Sequence, residues 1–123
     1  MIRHIVMWKL LDESEGKSKA ENAQIVKNSL ESLMGKIDGL LSIEVGINHP
    51  ETPESNYDVV LNCTFPDVDA LNAYQSHPLH VEAATYIKKV VCARVCVDYE
   101  GYSTGNNRFY LGGLAASSLF LYK

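Results

Sequence analysis

The sequence lacks a cluster of basic residues and a long apolar run. Its 15 acidic residues outnumber its 11 Lys and Arg, for a formal charge of −4. No basic stripe can neutralise a phosphate backbone, so we expect no nucleic-acid partner. No stretch approaches the roughly 20 apolar residues that span a bilayer, and Met1 leads straight into a strand-like segment instead of a signal peptide. These absences predict a cytoplasmic protein with no membrane partner.

Cysteine is also scarce. Cys63, Cys92 and Cys96 are odd in number and lie in apolar segments, without the paired spacing of a disulfide framework or a zinc knuckle. We therefore expect three buried, reduced thiols. A metal site at Cys92 and Cys96 would need a turn to bring the two together, whereas residues 90–99 are typical of extended chain, so we predict no metal there.

The order of the predicted elements is βαββαβ. Four segments have the composition or the alternation of strands, namely residues 4–11, 41–47, 57–65 and 91–99. A first helix follows the Ser18-x-x-Glu21 capping box, and its apolar positions recur at intervals of three and four up to Ile37. A second helix follows Asp67 and is interrupted near His77 by Pro78, with a further helical piece over residues 80–89.

This order predicts an α+β, ferredoxin-like fold, an antiparallel four-stranded sheet with its helices on one face. The strands carry apolar side chains on both faces, for example Ile5 and Met7 opposite Val6 and Trp8. The face without helices therefore needs a cover, and a second copy of the chain is the simplest one, which predicts a homodimer in the form of an α/β barrel.

The predicted domain covers residues 1–100, and residues 101–123 form a separable C-terminal extension. This extension begins with a turn-rich stretch of Gly and Asn and ends in an apolar segment from Phe109 to Tyr122. Because that composition is costly to leave in water, we expect the extension to pack on the domain or across the dimer.

Several short segments of the sequence form a combination that points to a known family. They are the opening His4-Ile5-Val6-Met7-Trp8-Lys9-Leu10, the strand from Leu41 to Gly46, the Tyr57-Asp58 start of the third strand, and Tyr74 followed by His77-Pro78-Leu79-His80. In this combination the sequence resembles the stress-responsive dimeric α/β barrel (Dabb) family over residues 1 to 100. The resemblance implies a ferredoxin-like protomer and a barrel dimer, but a fold alone does not fix a function.

The resemblance also implies a set of site residues. The family contains stress-induced proteins and a plant branch of polyketide cyclases, whose catalytic groups correspond to His4, Tyr74 and His80. A further pocket histidine of that branch corresponds to Val59, which departs from the cyclase pattern. The residues predicted to bind a substrate are Trp8, Tyr57, Val59 and His77.

The chemistry of these groups suits proton transfer. Imidazole exchanges protons near neutral pH, and a Tyr hydroxyl can hold a developing enolate oxygen. We assign His80 as general base, Tyr74 as the group that orients it or the enolate, and His4 as the group that polarises a carbonyl. In the structural alternative, His4 bonds a carbonyl and His77 caps a helix. His77 and His80, with Glu82, have helical spacing for a metal but lack a fixed third ligand, so we predict neither metal nor cofactor.

The expected function is binding of a small aromatic or ketide-like molecule in a protomer cavity, with cyclase-like acid–base chemistry as an extension. A cavity of about 300 Å³ or more beside His80 would favour it. In one alternative the chain is a non-catalytic stress or assembly protein whose same residues fill the core. A second alternative is oxidation without a conventional cofactor, as in other dimeric α+β barrels, although no residue here singles it out.

Overall fold

The computed structural model describes residues 1–101, and the predicted extension lies outside the described residues apart from Gly101. The described residues form the elements β1 (Ile2–Leu10), β2 (Glu13–Ser14), β3 (Lys17–Ser18), α1 (Lys19–Glu31), β4 (Ser42–Ile47), β5 (Val59–Phe65), α2 (Val68–Ser76), α3 (Pro78–Val90) and β6 (Val91–Glu100). None of these three helices is long and apolar enough to cross a membrane.

The main sheet confirms the predicted fold. Its strand order is β4-β5-β1-β6, and every neighbouring pair is antiparallel. The short hairpin of β2 and β3 was not predicted, because its polar residues are typical of a loop. Glu15 and Gly16 close it with positive φ angles of 54° and 73°.

The first helix begins as predicted and ends early. The Ser18 hydroxyl accepts from the Glu21 amide, and the Glu21 carboxylate accepts from the Ser18 amide. The helix ends at Glu31, before the predicted apolar stripe is complete. Leu33 and Ile37 are nevertheless buried, because the turns after the helix place both side chains in the hydrophobic core.

The break between the second and third helices lies where Pro78 predicts it. Asp67 caps α2 through the Ala70 amide. His77 ends α2 and caps α3, since its Nδ1 accepts from the Leu79 amide. The third helix begins at Pro78, two residues earlier than predicted, because a first helical position needs no amide donor.

The two faces of the sheet differ in exposure. The helix-facing side chains of β1 are all buried, namely Ile2, His4, Val6, Trp8 and Leu10. On the opposite face, Met7 of β1 and Val95, Val97 and Tyr99 of β6 are exposed. The apolar face without helices is therefore bare of any cover among the described residues, as the alternation of the strands predicts.

The helix layer does not extend over the outer part of β6, which is an edge strand of the sheet. Cys96 and Asp98 share the helix-facing side with Val6 and His4 of β1 but remain exposed. The prediction of three buried thiols was therefore wrong in part: Cys63 is buried on β5, whereas Cys92 and Cys96 are exposed on β6.

Candidate functional site

Three aromatic rings predicted to act together lie side by side. The ring centroids of Tyr74 and His80 are 4.5 Å apart, and those of Tyr74 and His4 are 6.3 Å apart. Tyr74 lies in the last turn of α2 and His80 in the first turn of α3, so the break between the two helices at Pro78 brings the two rings together. The side chain of His4 joins them from β1, on the sheet face that the helices cover.

His4 is held by a carboxylate. Its ring is 3% exposed, and its Nδ1 forms a hydrogen bond with Oδ1 of Asp98, the residue directly opposite on β6. Because a carboxylate accepts, Nδ1 is the donor, and Nε2 of the neutral ring carries the free lone pair. This arrangement orients His4 as a proton acceptor at Nε2. The predicted carbonyl-polarising role needs the opposite tautomer or the imidazolium.

His80 is oriented in the same way. Its Nδ1 lies 3.1 Å from the carbonyl oxygen of Gln75, which only accepts, so Nδ1 again donates and Nε2 is free. The ring is half-buried. Burial lowers the pKa of His80, and the hydrogen bond to Gln75 opposes this shift only in part. His80 is therefore a neutral base at physiological pH.

Tyr74 is the platform between the two imidazoles. Its side chain is fully buried and also packs on Phe65, with ring centroids 5.0 Å apart. Its hydroxyl has no hydrogen-bond partner of normal geometry among the described residues. The Cys63 thiol is close enough to raise the pKa of Tyr74 further, although burial is the main cause of that rise. A thiol is a weak acceptor and does not satisfy the hydroxyl.

Two cysteines border the cluster, and neither is an activated nucleophile. Burial raises the pKa of Cys63 to about 12, with the charge of Asp98 contributing. Burial and the charge of Asp98 also raise the pKa of Cys96, whose Sγ lies 3.8 Å from Nδ1 of His4. A low thiol pKa is what nucleophilic catalysis by cysteine requires. The arrangement therefore favours acid–base chemistry at the imidazoles over covalent chemistry at sulfur.

The residues predicted to bind a substrate lie elsewhere. Trp8 and Val59 pair across β1 and β5 and are buried in the core. Trp8 is four residues along the strand from His4, or about 13 Å. Tyr57 lies in the loop before β5, where the Lys9 ammonium sits 5.9 Å from the centroid of its ring. His77 uses its Nδ1 as a helix cap. Of these four, only His77 contacts the cluster, through its backbone amide, which donates to the Tyr74 carbonyl. All four remain predictions.

Three of the cavities lined by described residues have volumes of about 690, 390 and 200 Å³. The largest lies beside the loop over residues 48–58, the second between α1 and α3, and the smallest on the bare sheet face. None of these three is lined by His4, Tyr74 or His80. Tyr74 is fully buried, whereas His80 is half-buried and Cys96 and Asp98 are exposed, so a solute would meet the cluster at His80 and at β6.

Asp98 and Cys96 were not predicted as site residues. Both lie in a strand whose composition is mostly apolar, and only the register between β1 and β6 places Asp98 opposite His4. A charged residue within an apolar strand was the signal that could have drawn attention to Asp98.

The family of the chain follows from a comparison with family models. Residues 2–101 match the model of the stress responsive A/B barrel domain, Dabb, which confirms the resemblance. The chain belongs to the Dabb family. Among curated proteins, none matches the sequence.

Solved structures agree with this assignment. A dimeric ferredoxin-like protein of unknown function from Bacteroides fragilis is 33% identical, with a TM-score of 0.72 over 81% of this chain and 95% of its own. A similar dimeric protein from Thermobifida fusca is 26% identical, with a TM-score of 0.68 over 80% of this chain and 88% of its own. Hydroxynitrile lyase from Passiflora edulis, at 18% identity and a TM-score of 0.65 over 85% and 96% of the two chains, shares the Dabb fold.

Proposed function

We propose that this Dabb protein is a homodimer that binds a small carbonyl compound beside His80 and removes a proton from it. Ketide-like molecules and aromatic ketones, which fall within the small aromatic or ketide-like molecules expected from the sequence, belong to this substrate class. His80 is the general base, Tyr74 orients it, and His4 with Asp98 forms a second proton-accepting pair. The enol or enolate formed in this way is the intermediate of an aldol, cyclisation or isomerisation step.

The observation that carries the proposal is the setting of His80. A general base works best when it is neutral at the operating pH and when its accepting atom is free and fixed in direction. Burial keeps the ring neutral, the carbonyl of Gln75 holds Nδ1, and Tyr74 packs on the ring. In the reaction a C–H bond of the substrate breaks, the proton passes to Nε2 of His80, and the electron pair moves to the carbonyl oxygen.

A homodimer is the assembly that best accounts for the bare face of the sheet. The related proteins from Bacteroides fragilis and Thermobifida fusca are described as dimeric. In this chain, Met7, Val95 and Val97 form an exposed apolar patch on that face. A second copy covering the patch would remove its apolar area from water on both protomers at once.

The non-catalytic role stays the second candidate, because one observation favours it. Tyr74 is fully buried, and the three described cavities do not reach the ring cluster. If the rings serve only to fill the core, substitution of His80 will change stability without changing any reaction. A comparison of His80→Gln with the wild type, in both activity and stability, therefore separates the two candidate functions.

The test follows the exchange of the α-protons of phenylacetone for deuterium by NMR, with the full chain as catalyst. We expect the wild-type protein to accelerate the exchange and His80→Gln to reduce that acceleration about 100-fold, the lower range for loss of a general base. His49→Gln is the matched control, since the His49 side chain lies in an exposed loop and its ring accepts a hydrogen bond from the Glu51 amide. Equal rates of deuterium exchange for the wild type and His80→Gln would show that His80 is not the general base.

A further inference from the structure

Three side chains of different chemistry meet where β6 leaves the helix layer. His4 contributes Nδ1 from β1, and Cys96 and Asp98 contribute Sγ and a carboxylate oxygen from β6. These donor atoms all lie within 4.8 Å of one another. The acid–base proposal uses His4 and Asp98 but gives the Cys96 thiol no role.

We propose that His4, Cys96 and Asp98 form a binding site for a borderline-soft divalent cation, with Zn²⁺ as the best fit. Imidazole, thiolate and carboxylate are the three ligand types that Zn²⁺ takes in proteins, and three protein ligands leave a fourth position open. This site goes beyond the proposed function, because it concerns a cation and a residue that proton transfer does not use.

The distances between the donors suit a tetrahedral ion. Metal–ligand bonds of about 2.0 Å to nitrogen or oxygen and about 2.3 Å to sulfur place tetrahedral donors about 3.3–3.6 Å apart. The Cys96 sulfur lies 3.8 Å from Nδ1 of His4 and 3.8 Å from Oδ1 of Asp98. His4 and Asp98 are closer because they share a hydrogen bond, and an ion between them takes the place of that proton.

The backbone places these donors without a loop rearrangement. His4 and Asp98 are direct partners in the β1–β6 register, and Cys96 is two residues from Asp98, on the same side of the strand. The imidazole is buried and fixed, whereas Cys96 and Asp98 are exposed, so a cation reaches the site from solvent. Hard ions such as Mg²⁺ prefer all-oxygen ligands, which excludes them here.

Occupation of the site changes what His4 can do. With a metal on Nδ1, the proton of the neutral ring moves to Nε2, which becomes a donor instead of an acceptor. The Cys96 thiol loses its proton to solvent when it binds the ion. The metal-loaded protein therefore presents His4 as the carbonyl-polarising donor, whereas the metal-free protein presents it as a base.

The test titrates the tag-free full chain with Co²⁺ alone and then displaces the cobalt with Zn²⁺. We expect one ion per protomer, a thiolate-to-cobalt charge-transfer band in the near ultraviolet and the visible bands of four-coordinate cobalt. Cys96→Ser and Asp98→Asn should each weaken binding at least about 100-fold, more than the loss of an outer-sphere partner costs. Cys92→Ser should bind as the wild type does, because Cys92 is an exposed thiol of the same strand outside the cluster.

The failure of this proposal is distinct from the failure of the proposed function. His80→Gln should keep the cobalt spectrum, because His80 is outside the donor set, and Cys96→Ser should keep the proton-exchange activity of the metal-free protein. The absence of a charge-transfer band overturns the metal site, as does binding that Cys96→Ser leaves unchanged. Circular dichroism of each variant verifies that a loss of binding is not a loss of folding.

Discussion

His4 and Asp98 lie directly opposite each other in the register of β1 and β6, and a hydrogen bond joins Nδ1 of the first to Oδ1 of the second. The two residues are 94 positions apart in the chain, so this bond joins its beginning to the last described strand. The imidazole is buried, while the carboxylate side chain is 40% exposed. The bond sets which nitrogen of His4 carries its proton.

Substitution of Asp98 should allow the His4 ring to adopt both tautomers, because the hydrogen bond that fixes one of them is lost. In Asp98→Ala we expect ¹⁵N shifts of the His4 ring that report a mixture of tautomers, in place of the Nδ1–H form. The loss of a partner for a buried polar group costs about 1–3 kcal/mol, and the exposure of Asp98 favours the lower end. Glu100→Ala is the control, because Glu100 is 76% exposed and pairs with the N-terminal ammonium at the surface. Equal losses of unfolding free energy in both variants would contradict the prediction.

The lowered pKa of His80 predicts how stability depends on pH. Because the pKa of His80 is below its ordinary value of 6.5 in the folded protein, the unfolded state binds the proton more readily. The contribution of His80 is therefore fully present above pH 6.5 and is lost as the pH falls from there towards the folded pKa. Urea unfolding from pH 5 to 8 should show a smaller decline for His80→Gln than for wild type, and parallel curves would rule out the lowered pKa.

The fold was predictable because each strand of the main sheet and each helix has a local signal, whereas the short hairpin of β2 and β3 has none. The capping box at Ser18 predicts the start of α1, the period-two alternation around Val45 predicts β4, and Pro78 predicts the break between α2 and α3. The order of the predicted elements then indicates the ferredoxin-like fold. The predicted trio at His4, Tyr74 and His80 came from the family resemblance. The sequence marks Asp98 only as a charged residue in a mostly apolar strand, and it does not place Asp98 or Cys96 beside His4. Strand register and the exposure of an edge strand do so, and only the assembled sheet determines these.

A partly buried hydrogen bond joins the first helix to the third. Asn22 is fully buried, and its Oδ1 accepts from the Tyr86 hydroxyl at 2.6 Å while its Nδ2 donates to the Ser14 carbonyl. Tyr86→Phe leaves that oxygen unpaired and should cost about 1–3 kcal/mol of unfolding free energy. In the Asn22→Ala background, Tyr86→Phe should cost little further unfolding free energy. Chemical denaturation of the wild type, the two single variants and the double variant measures this coupling. Additive effects would show that the bond does not couple the helices.

Two glycines with similar backbone angles should respond differently to alanine. Gly35 and Gly39 have φ angles of +83° and +87°, so both substitutions carry the strain of a left-handed residue, about 1 kcal/mol. A Cβ at Gly39 would lie 2.9 Å from Cβ of Ala70 on α2, whereas nothing lies within 4 Å at Gly35. Gly39→Ala should therefore lower the melting temperature more than Gly35→Ala. Equal losses would mean that α2 shifts freely away from the turn.

A single charge introduced on the bare face of the sheet should weaken the homodimer. Val97 lies on that face and is 53% exposed in the protomer, whereas Val81, on the outside of α3, is 48% exposed. If a second copy covers the face, Val97→Lys places an ammonium group in an apolar interface and should weaken the dimer more than about tenfold. Val81→Lys introduces the same charge at similar exposure and should leave the dimer unchanged.

Sedimentation velocity over a range of concentrations will measure both valine variants. A wild-type monomer at micromolar concentration would contradict the homodimer directly. A Val97→Lys dimer as tight as wild type would place the interface elsewhere on the protomer, since a buried Lys without a partner cannot be neutral in its effect. Circular dichroism verifies that each variant keeps its fold, so that a monomeric Val97→Lys reports the interface and not unfolding.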